Sequence, residues 1–442
     1  MKKLFCFGLL LCCFGLAIAF AETHETLPEI FRIQVESVER RQNGNESAVY
    51  KEYLKTANTI VNEDIAARVE AMDAAHAGNL MPDPAKKGNK NSRLDIGVIY
   101  YRTGEHYLST MVFARDTFKA QNNLFDYNTV LYDLQSGERI RLSNILSDTE
   151  GFRQEVLAQL SKLYPGEAAD HEKLKSMAVD DMPFTMSAME LTIHIPENLV
   201  YPDKKGVLHA RFYYPKFSYF NALGKTISDN SRWKFIALTF DDGPKEIQST
   251  QTLNAIRNAG ARVSYFTVGT QLDLAGHIAQ RQASENHILA NHTYKHWNGY
   301  TIKTFERRLQ ELDMVDQRLL YLVGEKARYF RAPGGVYPPW AEAKVGAPII
   351  QWSIDTYDYT GKSAKKIFYT IRNKASHGDI VLMHDTGHQT HKAVPRISEW
   401  LTERGYMMVT LDELAAAFGV EPKPAEVYWS FREGENRESK QK

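Results

Sequence analysis

The chain has 442 residues with 54 basic and 54 acidic side chains, and its 43% hydrophobic and 24% charged fractions are those of globular protein. This excludes a fibre or a disordered polymer, and zero net charge leaves no electrostatic footprint for nucleic acid. At ~100–200 residues per domain, the length calls for two or three domains.

The chain opens with Lys2 and Lys3, an apolar run from Leu4, and then Ala19-Phe20-Ala21. These are the parts of a secretory signal ending in an A-x-A cleavage site, so residues 1–21 are expected to be a signal peptide and the protein to be exported. A retained membrane anchor is the alternative, although about 18 apolar residues fall short of the ~20 a spanning helix needs. All three cysteines, Cys6, Cys12 and Cys13, lie in this stretch. Its removal leaves no thiol, which excludes disulfides, thiolate metal sites and cysteine nucleophiles together.

Residues 22–225 are expected to form an α+β domain. Ala, Glu and Lys with apolar residues at helical spacing predict a helix over Ala48–His76, followed by a polar loop at Pro82–Asn91. Alternating β-branched and aromatic runs predict strands at Asp95–Arg102, His106–Ala114 and Tyr127–Leu134. Asp133 to Glu138 reads as a hairpin turn in which Gly137 is free to take positive φ, leading into Arg139–Leu142. A helix at Glu150–Leu163 and strands at Leu191–Ile195 and Val207–Tyr214 complete the domain. His194 and His209 sit within those last two strands without an obvious partner and read as structural.

All six tryptophans lie beyond residue 232. The polar stretch from Asn221 to Arg232 reads as a loop or linker and a domain boundary. Beyond it, strands at Phe235–Phe240, Val263–Val268, Ile349–Ile354, Ile380–His384 and Met407–Leu411 alternate with helices at Gln248–Ala259, Thr304–Val323, Ala364–Ala375 and Val394–Arg404. Such alternation implies an α/β domain with a parallel sheet, for which a barrel is one closure, with chemistry at the C-terminal strand ends. Residues 419–442 are expected to be a charged tail.

Four clusters fall at those ends. Thr239-Phe240-Asp241-Asp242-Gly243-Pro244 places two carboxylates side by side, which repel unless a cation intervenes, although an acidic turn reads the same way. Asn291-His292-Thr293-Tyr294-Lys295-His296 sets two imidazoles at i and i+4, one helical face, where they could share a metal. Position 293 is Thr rather than Glu, so any base must come from elsewhere, and the Asp pair could supply it. Arg331-Ala332-Pro333-Gly334-Gly335 offers a guanidinium able to grip a carboxylate bidentately and glycines that let backbone N–H groups approach a ligand. A surface turn is the alternative there. Ile380 to Asp385 delivers His384 to a strand end, as a general acid or as a core histidine. Together, two His and one carboxylate leave a fourth position on a tetrahedral zinc for water.

With Asp355-Thr356-Tyr357-Asp358 and Leu382-Met383-His384, these clusters resemble the five motifs of the NodB-homology polysaccharide deacetylases, carbohydrate esterase family four. The resemblance covers roughly residues 232–418 and implies a distorted (β/α) barrel that hydrolyses N-acetyl groups on amino sugars. It implies that Asp242, His292 and His296 bind a divalent metal, Zn2+ with Co2+ or Mn2+ as alternatives. Asp241 would be the base, Arg331 would hold it, His384 would be the acid and Asp358 would tune that acid. Pro333, Gly334, Tyr359 and Leu382 would line the substrate and oxyanion positions.

Two departures bear on substrate. Tyr359 stands where the family usually has Trp, and Gly334 where it often has Tyr. The first domain, around Tyr132–Ser143, is similar to the domain preceding some bacterial peptidoglycan deacetylases. The expected partner is therefore cell-wall polysaccharide, most simply peptidoglycan, with chitin-like, poly-N-acetylglucosamine or acetylxylan polymers as alternatives. Contact with a membrane is expected only if the leader is retained. No Gly-x-Ser-x-Gly occurs, which sets serine esterase chemistry aside. A glycan-binding pseudoenzyme predicts the loss of an acid, base or ligand, and none is missing.

Overall fold

The computed structural model describes residues 27, 29–42, 47–76, 92–116, 126–164, 168–201, 206–297, 304–336, 346–387 and 389–433. The expected signal peptide, the loop at Pro82–Asn91 and the last nine residues lie outside them.

The first sheet runs in chain order, β1 (Gln34–Gln42), β2 (Ser47–Lys55), β3 (Ser92–Thr103), β4 (Tyr107–Asp116), β5 (Asp126–Asp133) and β6 (Arg139–Ile140). All pairs are antiparallel except β2 with β3. The expected helix over Ala48–His76 is corrected. Ser47–Lys55 is a strand, and helix α1 spans only Thr59–His76. Asn58 divides them, its side chain accepting from the N–H groups of Ile60 and Val61 as a helix cap does. The Ala- and Glu-rich composition misleads because pairing on both edges of β2 overrides intrinsic propensity. The hairpin turn forms as expected, with Gly137 at φ +82°. After short α2 (Leu142–Ile145), α3 (Thr149–Leu160) and α4 (Glu172–Ser176) comes a second antiparallel sheet, β7 (Phe184–Met186), β8 (Glu190–Pro196) and β9 (Val207–Tyr213). Here His194 and His209 partner each other, Nδ1 to Nδ1 at 3.1 Å. Burial pushes the His194 imidazole down to about 3, so it is neutral.

The expected linker is helix α5 (Ala222–Ile227) followed by a packed turn. Asn230 is buried and bonds to the Gly104 N–H and the Ala188 carbonyl.

The remaining strands are parallel: β10 (Lys234–Asp241), β11 (Ser264–Thr267), β12 (Ile288–Asn291), β13 (Ile349–Ile350), β14 (Ile354–Asp355), β15 (Ile380–His384), β16 (Tyr406–Val409) and β17 (Val427–Tyr428). β10 lies between β11 and β15, and single bridges from Asn291 to Phe330 and from Phe330 to Ile349 carry the circuit to the stretch that ends in β14, itself paired to β15. The result is a closed, distorted barrel. Helices α6 (Glu246–Asn258), α7 (Gly269–Ser284), α8 (Phe305–Val323), α9 (Ala364–Arg372), α10 (Thr390–Glu403) and α11 (Leu411–Ala417) follow the strands. Side-chain alternation divides the cores. Ala237, Phe266, Ala290, Ile350 and Ile380 pack in one cluster, while Ile236, Leu238, Phe240, Val381 and Met383 pack in another with Leu253, Ile278, Val315, Ile371 and Ile397 of the helices.

Two expectations change here. The strand over Ile349–Ile354 is split, because the carbonyls of Ile350 and Gln351 accept from the Arg331 guanidinium instead of a neighbouring strand. The expected tail is in part barrel: β17 pairs with β13, and Tyr428 and Phe431 are buried in the core. A two-residue strand is too short to show in any periodicity.

Buried ion pairs join the N-terminal sheets to the barrel. Arg115 meets Glu285 at 2.8 Å, Arg262 meets Glu190 at 3.0 Å, and Arg257 meets Glu52 at 2.5 Å.

Candidate active site

Parallel strands bring their C-terminal ends to one face of the barrel, and the singled-out residues converge there. Asp241 closes β10 and is the register partner of His384 at the end of β15. His292 follows β12, Arg331 follows the Phe330 bridge, and Asp358 follows β14.

Arg331 is fully buried, with its guanidinium 3.9 Å from the centre of the Phe266 ring. One terminal nitrogen donates to Asp241 Oδ1 at 2.7 Å and to Thr239 Oγ1 at 2.9 Å. Nε and the other terminal nitrogen bond to the Ile350 and Gln351 carbonyls. The expected bidentate grip is therefore corrected to a single-nitrogen contact, because the backbone of the split strand takes the rest of the fork. Asp241 keeps Oδ2 turned toward His292, 3.7 Å from its Nε2.

The His292–His296 pair is not on a helix. Thr293 and His296 take φ of +63° and +58°, and so does the neighbouring Asp242 at +74°. Side chains cross this turn in place of helical hydrogen bonds: the Asn291 carboxamide oxygen accepts from the Thr293 N–H and the Thr293 hydroxyl from the Trp297 N–H. His292 Nδ1 donates to the Arg331 carbonyl at 2.8 Å, which leaves the Nε2 lone pair facing the site. Asp242 Oδ1 is buried, 3.0 Å from His296 Nε2 and 3.4 Å from His292 Nε2, yet it makes a directed hydrogen bond to neither. A carboxylate oxygen and two imidazole nitrogens, all within 4.8 Å of one another, fit a divalent cation. Burial works against the Asp242 anion, but the two imidazoles outweigh it and hold its carboxyl far below the usual range.

His384 is gripped through both ring and backbone. Its Nδ1 lies 2.7 Å from Asp358 Oδ1, and its N–H donates to Asp358 Oδ2, which also accepts from the Thr390 hydroxyl. Burial disfavours the imidazolium, but Asp358 first, and then the charges of Asp241 and Asp242, push the pKa up to about 9.

The remaining residues surround this centre. Tyr359 stands edge-on to the His384 ring at 5.2 Å and is 59% exposed. Leu382 pairs in register with Thr239, one layer below Asp241 and His384, and is buried. Pro333 is buried, and Gly334 and Gly335 both take φ of +68°, conformations that suit glycine. The Gly335 N–H bonds to the Ala332 carbonyl. A Cβ on Gly334 would meet nothing within 4 Å among the described residues. Thr239 and Asp385 stand within clusters already singled out but carried no expected role, whereas nothing local in the sequence marks Thr390.

A family model for polysaccharide deacetylases matches residues 228–345. The chain is 30% identical over 190 residues to a peptidoglycan-N-acetylglucosamine deacetylase of Bacillus cereus, an alignment covering 41% of this chain and 88% of that protein. The chain belongs to the polysaccharide deacetylase family. It is an N-deacetylase, a hydrolase of carbon–nitrogen bonds other than peptide bonds. A peptidoglycan-N-acetylglucosamine deacetylase of Listeria monocytogenes is 22% identical over 408 residues, 85% of this deacetylase and 84% of that protein, so the likeness extends beyond the barrel. A peptidoglycan-N-acetylmuramic acid deacetylase of Bacillus subtilis is 25% identical over 190 residues, covering 43% of this chain and 40% of that protein.

Proposed function

We propose that the deacetylase removes N-acetyl groups from the amino sugars of peptidoglycan, outside the cytoplasm, as an exported enzyme or one held to the membrane by its leader. The observation that carries this reading is the convergence of Asp241, Asp242, His292, His296 and His384 on one end of the barrel, with the acid and base in register on adjacent strands. The substrate class is supported by the peptidoglycan deacetylases among the relatives.

Asp242, His292 and His296 would hold a divalent cation, for which zinc suits the nitrogen and oxygen donors. Bound there, it would supply Lewis-acid polarisation of the acetamide carbonyl and of water. Asp241 takes a proton at Oδ2 from the attacking water, while Arg331 fixes Oδ1. A backbone N–H near Gly334 donates to the developing oxyanion. His384, with Nδ1 committed to Asp358, gives its Nε2 proton to the departing amine. Acetate and a free amino sugar result.

Release of acetate from purified peptidoglycan and from chitooligosaccharides tests the reading. Release from peptidoglycan that is lost in Asp242→Ala supports it. Release from chitooligosaccharides alone overturns the substrate, and release unaffected by Asp242→Ala overturns the metal chemistry.

A further inference from the structure

Asp385 follows His384 and takes no part in the chemistry above. It is 1% exposed, and among the described residues its carboxyl bonds to Ser249 and Gln282 and pairs with no cation. A carboxyl buried without a cationic partner weakens a fold, so its contribution is sought in what it holds.

Apart from one to Gln282 of α7, its contacts lead to the turn that carries the Asp pair. The Asp385 N–H donates to the Asp241 carbonyl at 2.7 Å. Oδ2 accepts from Ser249 Oγ at 2.5 Å and from Gln282 Nε2 at 3.4 Å. Ser249, fully buried in the first turn of α6, in turn accepts from the Lys245 N–H at 2.6 Å. A continuous path therefore runs from Lys245 through Ser249 to the strand end that bears His384. The carboxyl also lies directly against Gly243, where a Cβ would come within 2.4 Å of Oδ2. Between these supports is Asp242, a non-glycine residue at φ +74°. Such a conformation persists only where the surroundings over-determine it.

We propose that Asp385 is a positioning residue which, through Ser249, fixes the Asp242–Lys245 turn and so holds the Asp242 carboxylate toward His292 and His296. This rests on the reading of Asp242, His292 and His296 as metal ligands. Groups that orient ligands from behind typically govern affinity by about 10–100-fold.

The test is calorimetric titration of Zn2+ into metal-free full-length protein. Wild type should bind one ion and Asp242→Ala none. Asp385→Ala and Ser249→Ala should each raise the Kd by about 10–100-fold. The double variant should bind no more weakly than the worse single one, because both break one path. Asp385→Asn keeps an oxygen for Ser249 and should stay close to wild type. If Asp385→Ala does not fold, Ser249→Ala, which leaves the strand untouched, decides. Wild-type affinity in Ser249→Ala and in any folded Asp385→Ala overturns this inference and leaves the metal site standing. A wild type that binds no Zn2+ overturns the metal site itself, and this inference with it.

Discussion

Asp241 and His384 are register partners at the C-terminal ends of neighbouring parallel strands, and each is held by a different buried group. Arg331 takes one oxygen of Asp241, and Asp358 takes Nδ1 of His384. The carboxylate proposed as base and the imidazole proposed as acid are thereby each fixed in orientation by a separate buried partner.

His384→Ala should lower kcat by about 10²–10⁴-fold, the ordinary worth of a positioned general acid. Acetate release from peptidoglycan at saturating substrate measures this. A change of less than threefold would remove His384 from the mechanism.

The pH dependence has a definite sign. His384 has a folded-state pKa raised to about 9 by Asp358, Asp241 and Asp242, against an unfolded value of 6.5. The stability it contributes is complete below the unfolded value and is lost as pH rises through about 9. Urea unfolding of metal-free protein should show this loss, and Asp358→Asn should flatten it. In kinetics, the alkaline limb of kcat should move to lower pH in Asp358→Asn.

Arg331→Met should cost about 3–5 kcal/mol of stability, because Asp241 would be left buried without its counter-charge. Arg331→Lys should recover little, since one ammonium cannot reach Asp241, Thr239 and two carbonyls together. Chemical denaturation of both variants reads the difference.

Metal removal should abolish acetate release, and added Zn2+ should restore it. Because the ion binds the folded state alone, the melting temperature of metal-free protein should climb with Zn2+ concentration in wild type and stay level in Asp242→Ala.

A fragment of residues 228–442 should fail to unfold cooperatively. Without the N-terminal sheets, Arg257 loses Glu52, Arg262 loses Glu190, and Glu285 loses Arg115. In the full chain, burial opposes the Glu285 anion but the surrounding arginines depress its pKa, so its stabilisation is present above the unfolded value of 4.5 and lost on acidification. Glu285→Ala should destabilise by about 3–5 kcal/mol, measured by denaturant titration.

Much of the barrel was legible in the alternation of apolar strands and amphipathic helices, and every group placed in the chemistry was legible in a window of six residues or fewer. The failures have one character. Ser47–Lys55 looked helical in isolation and is a strand because two partners claim its edges. Residues 419–433 looked like an appendage and supply β17, Tyr428 and Phe431.

By itself, the sequence determined which chemical groups are available: no thiol beyond Cys13, an Asp pair, two histidines four apart, an arginine and a further histidine at strand ends. Side-chain chemistry is local, so composition and spacing were enough. Only the tertiary structure decided how those groups are used. It turned the two histidines on a positive-φ turn instead of a helix face, and it divided the Arg331 fork between one carboxylate oxygen, a hydroxyl and two carbonyls. It also set the Asp385 carboxyl against Gly243 and Ser249. These outcomes depend on contacts between segments distant in the chain, formed only when the barrel closes, and no local window contains them.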